Sequence, residues 1–332
     1  MDYSAFVVSE DESGSYLADI KTLNTQQLPA GDVLIKVDCS SLNFKDALSF
    51  SGNKGVTRQY PHTPGIDAAG EVTSCATGDF KVGQKVVVVG YDLGMNTSGG
   101  FGEYISVPAK WVMPMPANMS APLSMAWGTA GFTAALCIEK LLMAGAKKEQ
   151  GPVLISGASG GVGSIAILLL VKLGFEVHAL TSKTGDKEYF DSLGVSEIVS
   201  RAKFLKASSR PMLKPVYGAA IDVAGGDVLS TMLKMIKPGG SVACCGLVAS
   251  IELHTTVLPF ILRGINLLGV DSVELPLNVK QAMWLKMAGE WNLPELLDQC
   301  QLIAKQQLAD TLQSMLSGNI KGRYVLDHNL VG

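Results

Sequence analysis

Apolar residues fall in two different rhythms along this chain. From the N-terminus to Pro114 the apolar stretches are short, and glycine cuts them repeatedly. Residues 32–37 (DVLIKV) and 85–89 (KVVVV) have the length and β-branched content of strands, and 69–72 opens another. Gly65, Gly70, Gly78, Gly83, Gly90, Gly94, Gly99, Gly100 and Gly102 supply the turns that a β-rich, barrel-like domain needs. Pro114, Pro116 and Pro122 then mark the crossing to a second domain. Residues 122–143 are helical in pattern, with an interruption at Gly128-Thr129-Ala130-Gly131.

Beyond that helix the rhythm changes. Continuous apolar runs alternate with helical stretches at 152–157, 175–180, 196–199, 219–223, 241–245 and 265–270. Runs without polar alternation are what strands covered on both faces require, so these six predict a doubly wound parallel sheet. Residues 279–316 are mostly helical, with Trp284, Trp291 and Leu296 as packing residues, and 318–326 read as a turn leading into a last strand.

Composition narrows the class. A chain of 332 residues exceeds what one core usually serves. Hydrophobic residues at 47% and charged ones at 17% leave no room for extensive disorder. A net charge of -3 without long like-charge blocks argues against nucleic acid as a partner. The six cysteines are scattered and form no CxxC pair, as expected of reduced core thiols. No signal peptide is visible, and the apolar run 165–171 stops at Lys172, short of a membrane span. A soluble cytoplasmic protein without a membrane partner is expected.

The most informative stretch is 152–171, PVLISGASGGVGSIAILLLV. A buried strand, a glycine turn and an apolar helix follow one another, which is the context a dinucleotide loop requires. The turn reads Ala158-x-Gly160-x-x-Gly163, a variant of GxGxxG with alanine first. Gly160 and Gly161 let the backbone approach a pyrophosphate, with Val162 between them and Gly163. Gly163 lets helix and strand pack closely, and the helix N-terminus offers N–H groups to phosphate. Ordinary tight turns also use glycine, so the flanking elements carry the inference.

The next strand ends at Thr181-Ser182-Lys183. An NAD site usually places a carboxylate there for the adenosine ribose, whereas hydroxyls and a cation suit a 2′-phosphate. NADPH is therefore favoured, with Tyr189 placed to flank the adenine. Asp186 and Glu188 keep NAD open. Upstream, 40–48 (SSLNFKDAL) and 60–72 (YPHTPGIDAAGEV) are candidate site segments. Taken alone, Asn43 and Asp46 suit helix caps and Lys45 a solvated surface charge.

These strings together resemble the medium-chain dehydrogenase/reductase superfamily over essentially the whole chain. In zinc alcohol dehydrogenases the segment matching 64–71 carries Gly-His-Glu, with an earlier cysteine as a metal ligand. Here Gly65-Ile66-Asp67 and Asn43 stand in those places, and the cysteine cluster of the structural zinc lobe is absent. Isoleucine cannot bind zinc, so no metal is expected. The more detailed likeness is to the zinc-independent quinone oxidoreductase-like branch, and within it to bacterial acryloyl-CoA reductases. It rests on 40–48, 64–72, 128–136 (GTAGFTAAL), 157–164 (GASGGVGS) and 255–273 (TTVLPFILRGINLLGVDSV). Phe44 departs from the tyrosine usual in that branch, and Lys183 from the arginine common there.

The resemblance implies a GroES-like β-rich catalytic domain at 1–123, completed by 273–332, and a Rossmann domain at 124–272. It implies NADPH-dependent reduction of a carbon–carbon double bond conjugated to a carbonyl, with acryloyl-CoA as the foremost substrate. Asn43, Lys45 and Asp46 are the expected catalytic wall, any enolate being stabilised there without a metal. Phe44, Leu247, Asp271, Ser272, Asn319 and Arg323 are expected along the cofactor, beside Gly160 to Gly163, Thr181, Ser182, Lys183 and Tyr189. A homodimer through the strand at 265–270 is implied as well. Quinone or enone reduction, and a non-catalytic NADPH-binding redox sensor, are the competing readings.

Overall fold

Short apolar runs set most of the strands in the N-terminal part of the chain. The computed structural model describes residues 1–206 and 209–330. In it, β1 (Asp2–Glu10) and β2 (Tyr16–Asn24) form an antiparallel ribbon. β3 (Val33–Ser41) buries Val33, Ile35 and Val37 on one face and leads into the short helix α1 (Phe44–Phe50). Strands β4 (Asp67–Cys75), β5 (Lys85–Val89), β6 (Tyr104–Val107) and β7 (Val112–Pro114) follow, then the long helix α2 (Ala121–Met143). Strand and helix next alternate as β8 (Val153–Ser156), α3 (Gly161–Lys172), β9 (Val177–Thr181), α4 (Lys187–Ser192), β10 (Glu197–Ser200) and α5 (Arg201–Lys206). The series continues with β11 (Tyr217–Asp222), α6 (Gly226–Met235), β12 (Ile236–Cys244), α7 (Leu258–Arg263) and β13 (Asn266–Gly269). The return comprises α8 (Leu277–Ala288), β14 (Cys300–Ile303), α9 (Leu308–Leu316) and β15 (Arg323–Asp327).

Two units result, Met1–Thr129 with Val273–Gly332, and Ala130–Ser272. The first division thus falls inside α2, six residues beyond the expected 123. Residues 331–332 of the expected 273–332 segment lie outside the described residues. In the first unit β14-β15-β3-β4-β5-β7 form one sheet, with β6 also paired to β3. Its core is a set of valines and isoleucines from β3 to β7, including Val33, Ile35, Val86, Val88, Ile105 and Val107. Each such side chain contributes about 1.5–3 kcal/mol by leaving water. A second core joins α1 and α9 through Leu42, Ala47, Leu308 and Leu312.

In the second unit six parallel strands run in the order β10-β9-β8-β11-β12-β13. That is the doubly wound order in which ligands bind beyond the carboxyl ends of the strands. α2 is long and apolar enough to cross a membrane, yet 83% of its apolar window is buried inside the protein. It is a core helix.

Some elements escape the pattern. β14 lies within 279–316, where the sequence reads as helix. It is four residues long, alternates poorly, and exists by pairing in parallel with β15. The first ribbon is not predicted either, since β2 is largely exposed and lacks an apolar face.

Candidate functional site

A helix break organises the polar centre of the first unit. Within α2, Gly128 adopts φ 47° and ψ -158°, far from helical values. The break frees N–H groups on one side and carbonyls on the other, and each set needs a partner. On the new N-terminal side, Thr129 N donates to Asp67 Oδ2 at 2.8 Å and Thr129 Oγ1 to Asp67 Oδ1 at 2.5 Å. On the C-terminal side, Arg323 Nε donates to Ala126 O at 2.9 Å and Nη2 to Met125 O at 3.3 Å. An anion thus sits at the start of one half-helix and a cation at the end of the other, as the helix dipole favours. Asp67 and Arg323 are both almost fully buried.

β3 and β4 bring the remaining donors to the same carboxylate. Ser41 Oγ donates to Asp67 Oδ2 in a short contact, and Asn43 Nδ2 donates to it at 2.9 Å. Asn43 Nδ2 also reaches Ser41 Oγ at 3.1 Å. Gly128 is a requirement of this packing. A Cβ there would come within 2.5 Å of Ser41 Oγ, 2.7 Å of Asp67 Oδ2 and 3.0 Å of Arg323 Nη2.

The expected catalytic wall takes different roles in this geometry. Asp46 is wholly buried in the first turn of α1, where its carboxylate accepts from Asn43 N at 2.8 Å, Ile66 N at 2.9 Å and Gly65 N at 3.0 Å. Burial pushes its pKa up to about 7, with Asp67 adding to the rise and those N–H donors opposing it. It ties α1 to the 65–66 turn and offers no surface to a substrate. Asn43 is nearly buried, and its amide hydrogens are spent on Asp67 and Ser41, so it cannot donate to an enolate. Lys45 is half-buried on α1, and Phe44 beside it is 37% exposed. Arg323 is buried in this centre, where its guanidinium donates to Ala126 O, Met125 O and Leu42 O. Asn319 is exposed beyond the end of α9.

The remaining candidates share one edge of the second unit. The loop between β8 and α3 closes tightly because Gly163 has no side chain: a Cβ there would lie 2.4 Å from Gly157 O. Gly160 caps α3 without a side-chain hydrogen bond, so the first-turn amides from Gly161 through Gly163 point outward unclaimed by a capping side chain. An anionic group such as a pyrophosphate fits that cradle. β9 lies beside β8, and at its end Thr181 Oγ1 accepts from Lys183 N at 3.0 Å, which turns the chain there. Ser182 is exposed and Lys183 half-buried. Tyr189 packs edge-on against Phe190 in α4, with ring centroids 5.4 Å apart. Leu247 is 64% exposed past β12. Asp271 and Ser272 follow β13, where Asp271 is exposed and Ser272 accepts from Thr133 Oγ1 at 2.7 Å.

Three functional candidates are invisible to pattern reading: Asp67, Thr129 and the pair Ser156–Asp222. Ser156 Oγ donates to Asp222 Oδ1 at 2.7 Å, and Gly225 N to Oδ2 at 2.7 Å, which braces the ends of β8 and β11. Both acids close or open apolar strands, where a polar residue reads as an ordinary boundary. Among the described residues, no group of three His, Cys, Asp or Glu side chains is placed to hold a metal ion.

A family model for an alcohol dehydrogenase GroES-like domain matches residues 29–117, and one for a zinc-binding dehydrogenase matches 161–287. YhfP of Bacillus subtilis, which carries a quinone oxidoreductase name, is 39% identical over 319 residues, covering 96% of this chain and 97% of that one. Its solved structure, with NAD bound, superposes with a TM-score of 0.94 and covers 98% and 99% of the two chains. Acrylyl-CoA reductase AcuI of Ruegeria pomeroyi is 38% identical over 328 residues, covering 98% and 99% of the two chains. The solved structure of the yhdH oxidoreductase from Salmonella enterica, in complex with NADP, has a TM-score of 0.94 at 38% identity and covers 98% and 99%.

Proposed function

We propose, from the premise that this chain belongs to the medium-chain dehydrogenase/reductase superfamily and to its quinone oxidoreductase-like branch, that it reduces acryloyl-CoA to propionyl-CoA with NADPH. At the coarser level the chain is an oxidoreductase. The near full-length similarity to AcuI is the observation that carries the substrate. The YhfP likeness favours quinone reduction as the second reading.

When bound, NADPH would supply a hydride from C4 of its nicotinamide for the β-carbon of a conjugated thioester. The amides of Gly161, Val162 and Gly163, with the Gly160 cap, would hold the pyrophosphate. Ser182 and Lys183 would hold the 2′-phosphate, with Tyr189 flanking the adenine. Leu247, Asp271 and Ser272 of the second unit would follow the rest of the cofactor. The α-carbon would take a proton from solvent as the enolate collapses, and Lys45, half-buried on α1, is the cation proposed to meet the developing oxyanion. A homodimer fits the same scheme. Among the described residues β13 pairs only with β12, and Val257, Ile261 and Leu262 on and before α7 are 65–70% exposed, surface that a second copy would cover.

The deciding experiment is NADPH oxidation with acryloyl-CoA, crotonyl-CoA, a simple enone and a benzoquinone. The highest kcat/KM is expected for acryloyl-CoA. A preference for the quinone would replace this reading with the second. No oxidation with any acceptor would leave a cofactor-binding protein without turnover.

A further inference from the structure

Three of the six cysteines meet in the second unit. Cys137 lies on α2, in the half that belongs to that unit, and is wholly buried. Cys244 ends β12 and Cys245 follows it, both half-buried. The Cys137 thiol is hydrogen-bonded to the Cys245 thiol. Cys245 is tied from a second side, since its Sγ donates to Asp222 O at 3.4 Å and its backbone N–H donates to the same oxygen at 3.0 Å. The two thiol hydrogens therefore form a chain, from Cys137 to Cys245 and from Cys245 to Asp222. The backbone beyond Cys245 has little room to move: a Cβ at Gly246 would lie 1.8 Å from Val223 O. The two sulfurs are thus held in contact by a helix on one side and a strand end on the other.

We infer that Cys137 and Cys245 form a modification site, a dithiol that a hydroperoxide converts to a disulfide joining α2 to the end of β12. Access sets the order of events. Cys245 is half-buried, whereas Cys137 is closed off from the surface. Cys244 competes poorly, because burial first, then Asp222 and Cys245, push its thiol up to about 11. The hydrogen bond to Cys245, with burial, holds the Cys137 thiol well above the ordinary thiol range and keeps it protonated until its partner has reacted. In the first step the Cys245 thiol gives its proton to water, and the thiolate attacks the outer peroxide oxygen. The O–O bond breaks, the alcohol leaves with a proton, and Cys245 becomes a sulfenic acid. In the second step the Cys137 sulfur attacks the Cys245 sulfur, the S–O bond breaks, and hydroxide leaves as water with the Cys137 proton. The two thiols lose two electrons and the peroxide gains them. A partner already in contact makes the second step intramolecular, so it outruns further oxidation of the sulfenic acid. The cross-link closes a loop of about a hundred residues, a length at which a disulfide restrains the unfolded chain.

The test exposes the folded protein to hydrogen peroxide, blocks the remaining thiols with iodoacetamide under denaturing conditions, and maps the peptides by mass. The expected product carries Cys137 and Cys245 in one linked pair of peptides, lighter by two hydrogen atoms than the reduced pair. Cys39, Cys75, Cys244 and Cys300 are expected alkylated. Dithiothreitol should return both linked cysteines to the alkylatable form. A higher thermal transition is expected with the disulfide, lost on reduction and absent in Cys137→Ala. In Cys137→Ala the same peroxide should leave Cys245 as a sulfenic acid that dimedone traps. In Cys245→Ser, Cys137 should stay reduced. Both cysteines alkylated after peroxide, Cys245 paired with Cys244, or Cys245 over-oxidised while Cys137 stays free, overturns the inference. Should Cys137→Ala fail to fold, the peptide map of the unmodified protein decides alone. No cofactor or acceptor enters the measurement, so its outcome is independent of the proposed reaction.

Discussion

Replacing Gly128 by alanine tests the break in α2 directly. The backbone there, at φ 47° and ψ -158°, is close to a region that only glycine uses comfortably, and a side chain in it costs about 1–3 kcal/mol. The steric part is larger. The new Cβ would stand 2.5 Å from Ser41 Oγ and 2.7 Å from Asp67 Oδ2, well inside van der Waals contact, with Arg323 Nη2 at 3.0 Å. None of these atoms is the free end of a flexible chain. Ser41 and Asp67 lie on paired strands, and Arg323 is held by three carbonyls. Relief means pulling Asp67 from one or more of its donors, and a disrupted buried charge network costs about 3–5 kcal/mol. The two contributions overlap, so about 4 kcal/mol is the expected loss. At roughly 2–4 °C per kcal/mol, the thermal transition falls by about 8–16 °C. Urea unfolding followed by tryptophan fluorescence measures the loss, with the buried Trp127 next in sequence. Gly145→Ala is the control. It has φ 89°, and nothing lies within 4 Å of where an added Cβ would stand. It isolates backbone strain and should lose only about 1–2 kcal/mol. A Gly128→Ala protein no less stable than this control would refute the account of the break.

Three further outcomes are expected. Lys183→Ala should weaken NADPH about tenfold or more, the worth of a charge-assisted contact at roughly 1.5–3 kcal/mol, while NADH barely changes; equal weakening in a binding titration would remove Lys183 from the 2′-phosphate. Lys280, wholly buried, donates to Val89 O and Val273 O at 2.8 Å each and lies 3.4 Å from the centre of the Tyr91 ring. Lys280→Met leaves the Val89 and Val273 carbonyls short of that donor and should cost about 2–5 kcal/mol in urea unfolding, whereas a loss under about 1 kcal/mol would show that the lysine adds little. Protein purified without added metal should carry no stoichiometric zinc, and about one zinc per chain by elemental analysis, lost with activity on chelation, would contradict the expectation drawn from Ile66.

Much of the second unit is legible because its signals are local. A buried parallel strand is an unbroken apolar run, and the six runs at 152–157 through 265–270 each contain or overlap one of the six strands of the sheet. The glycine loop is legible for the same reason. The first unit is harder to read. β2 shows an exposed face and β14 depends on β15, so neither has a pattern of its own. The candidate site divides along the same line. Asn43 and Asp46 are recognisable as cap residues at the start of α1, since capping is set within a few positions. Asp67 does not stand out within the 60–72 segment because its partners lie on β3 and α2, 26 and 62 residues away in sequence.

Arg323 shows most clearly why such a role cannot be read from sequence. A cation near the end of the chain, after a glycine turn, suits a cofactor contact as well as it suits a core. What decides is the electrostatics of the centre it enters. Asp46 and Asp67 are both fully buried, and two carboxylates without compensation would be expensive to keep there. In the zinc dehydrogenase pattern the residue before the acidic one is a histidine ligand, so a metal stands close to supply positive charge. Here that residue is Ile66, and the compensation comes from Arg323 with the N-terminal end of the second half of α2. The guanidinium serves twice, since the carbonyls it caps are those released by the same break that turns Thr129 to Asp67. Restoring a histidine at position 66 would therefore not restore a metal site. It would place an imidazole beside a carboxylate whose lone pairs are already taken, in a centre whose positive charge is already provided.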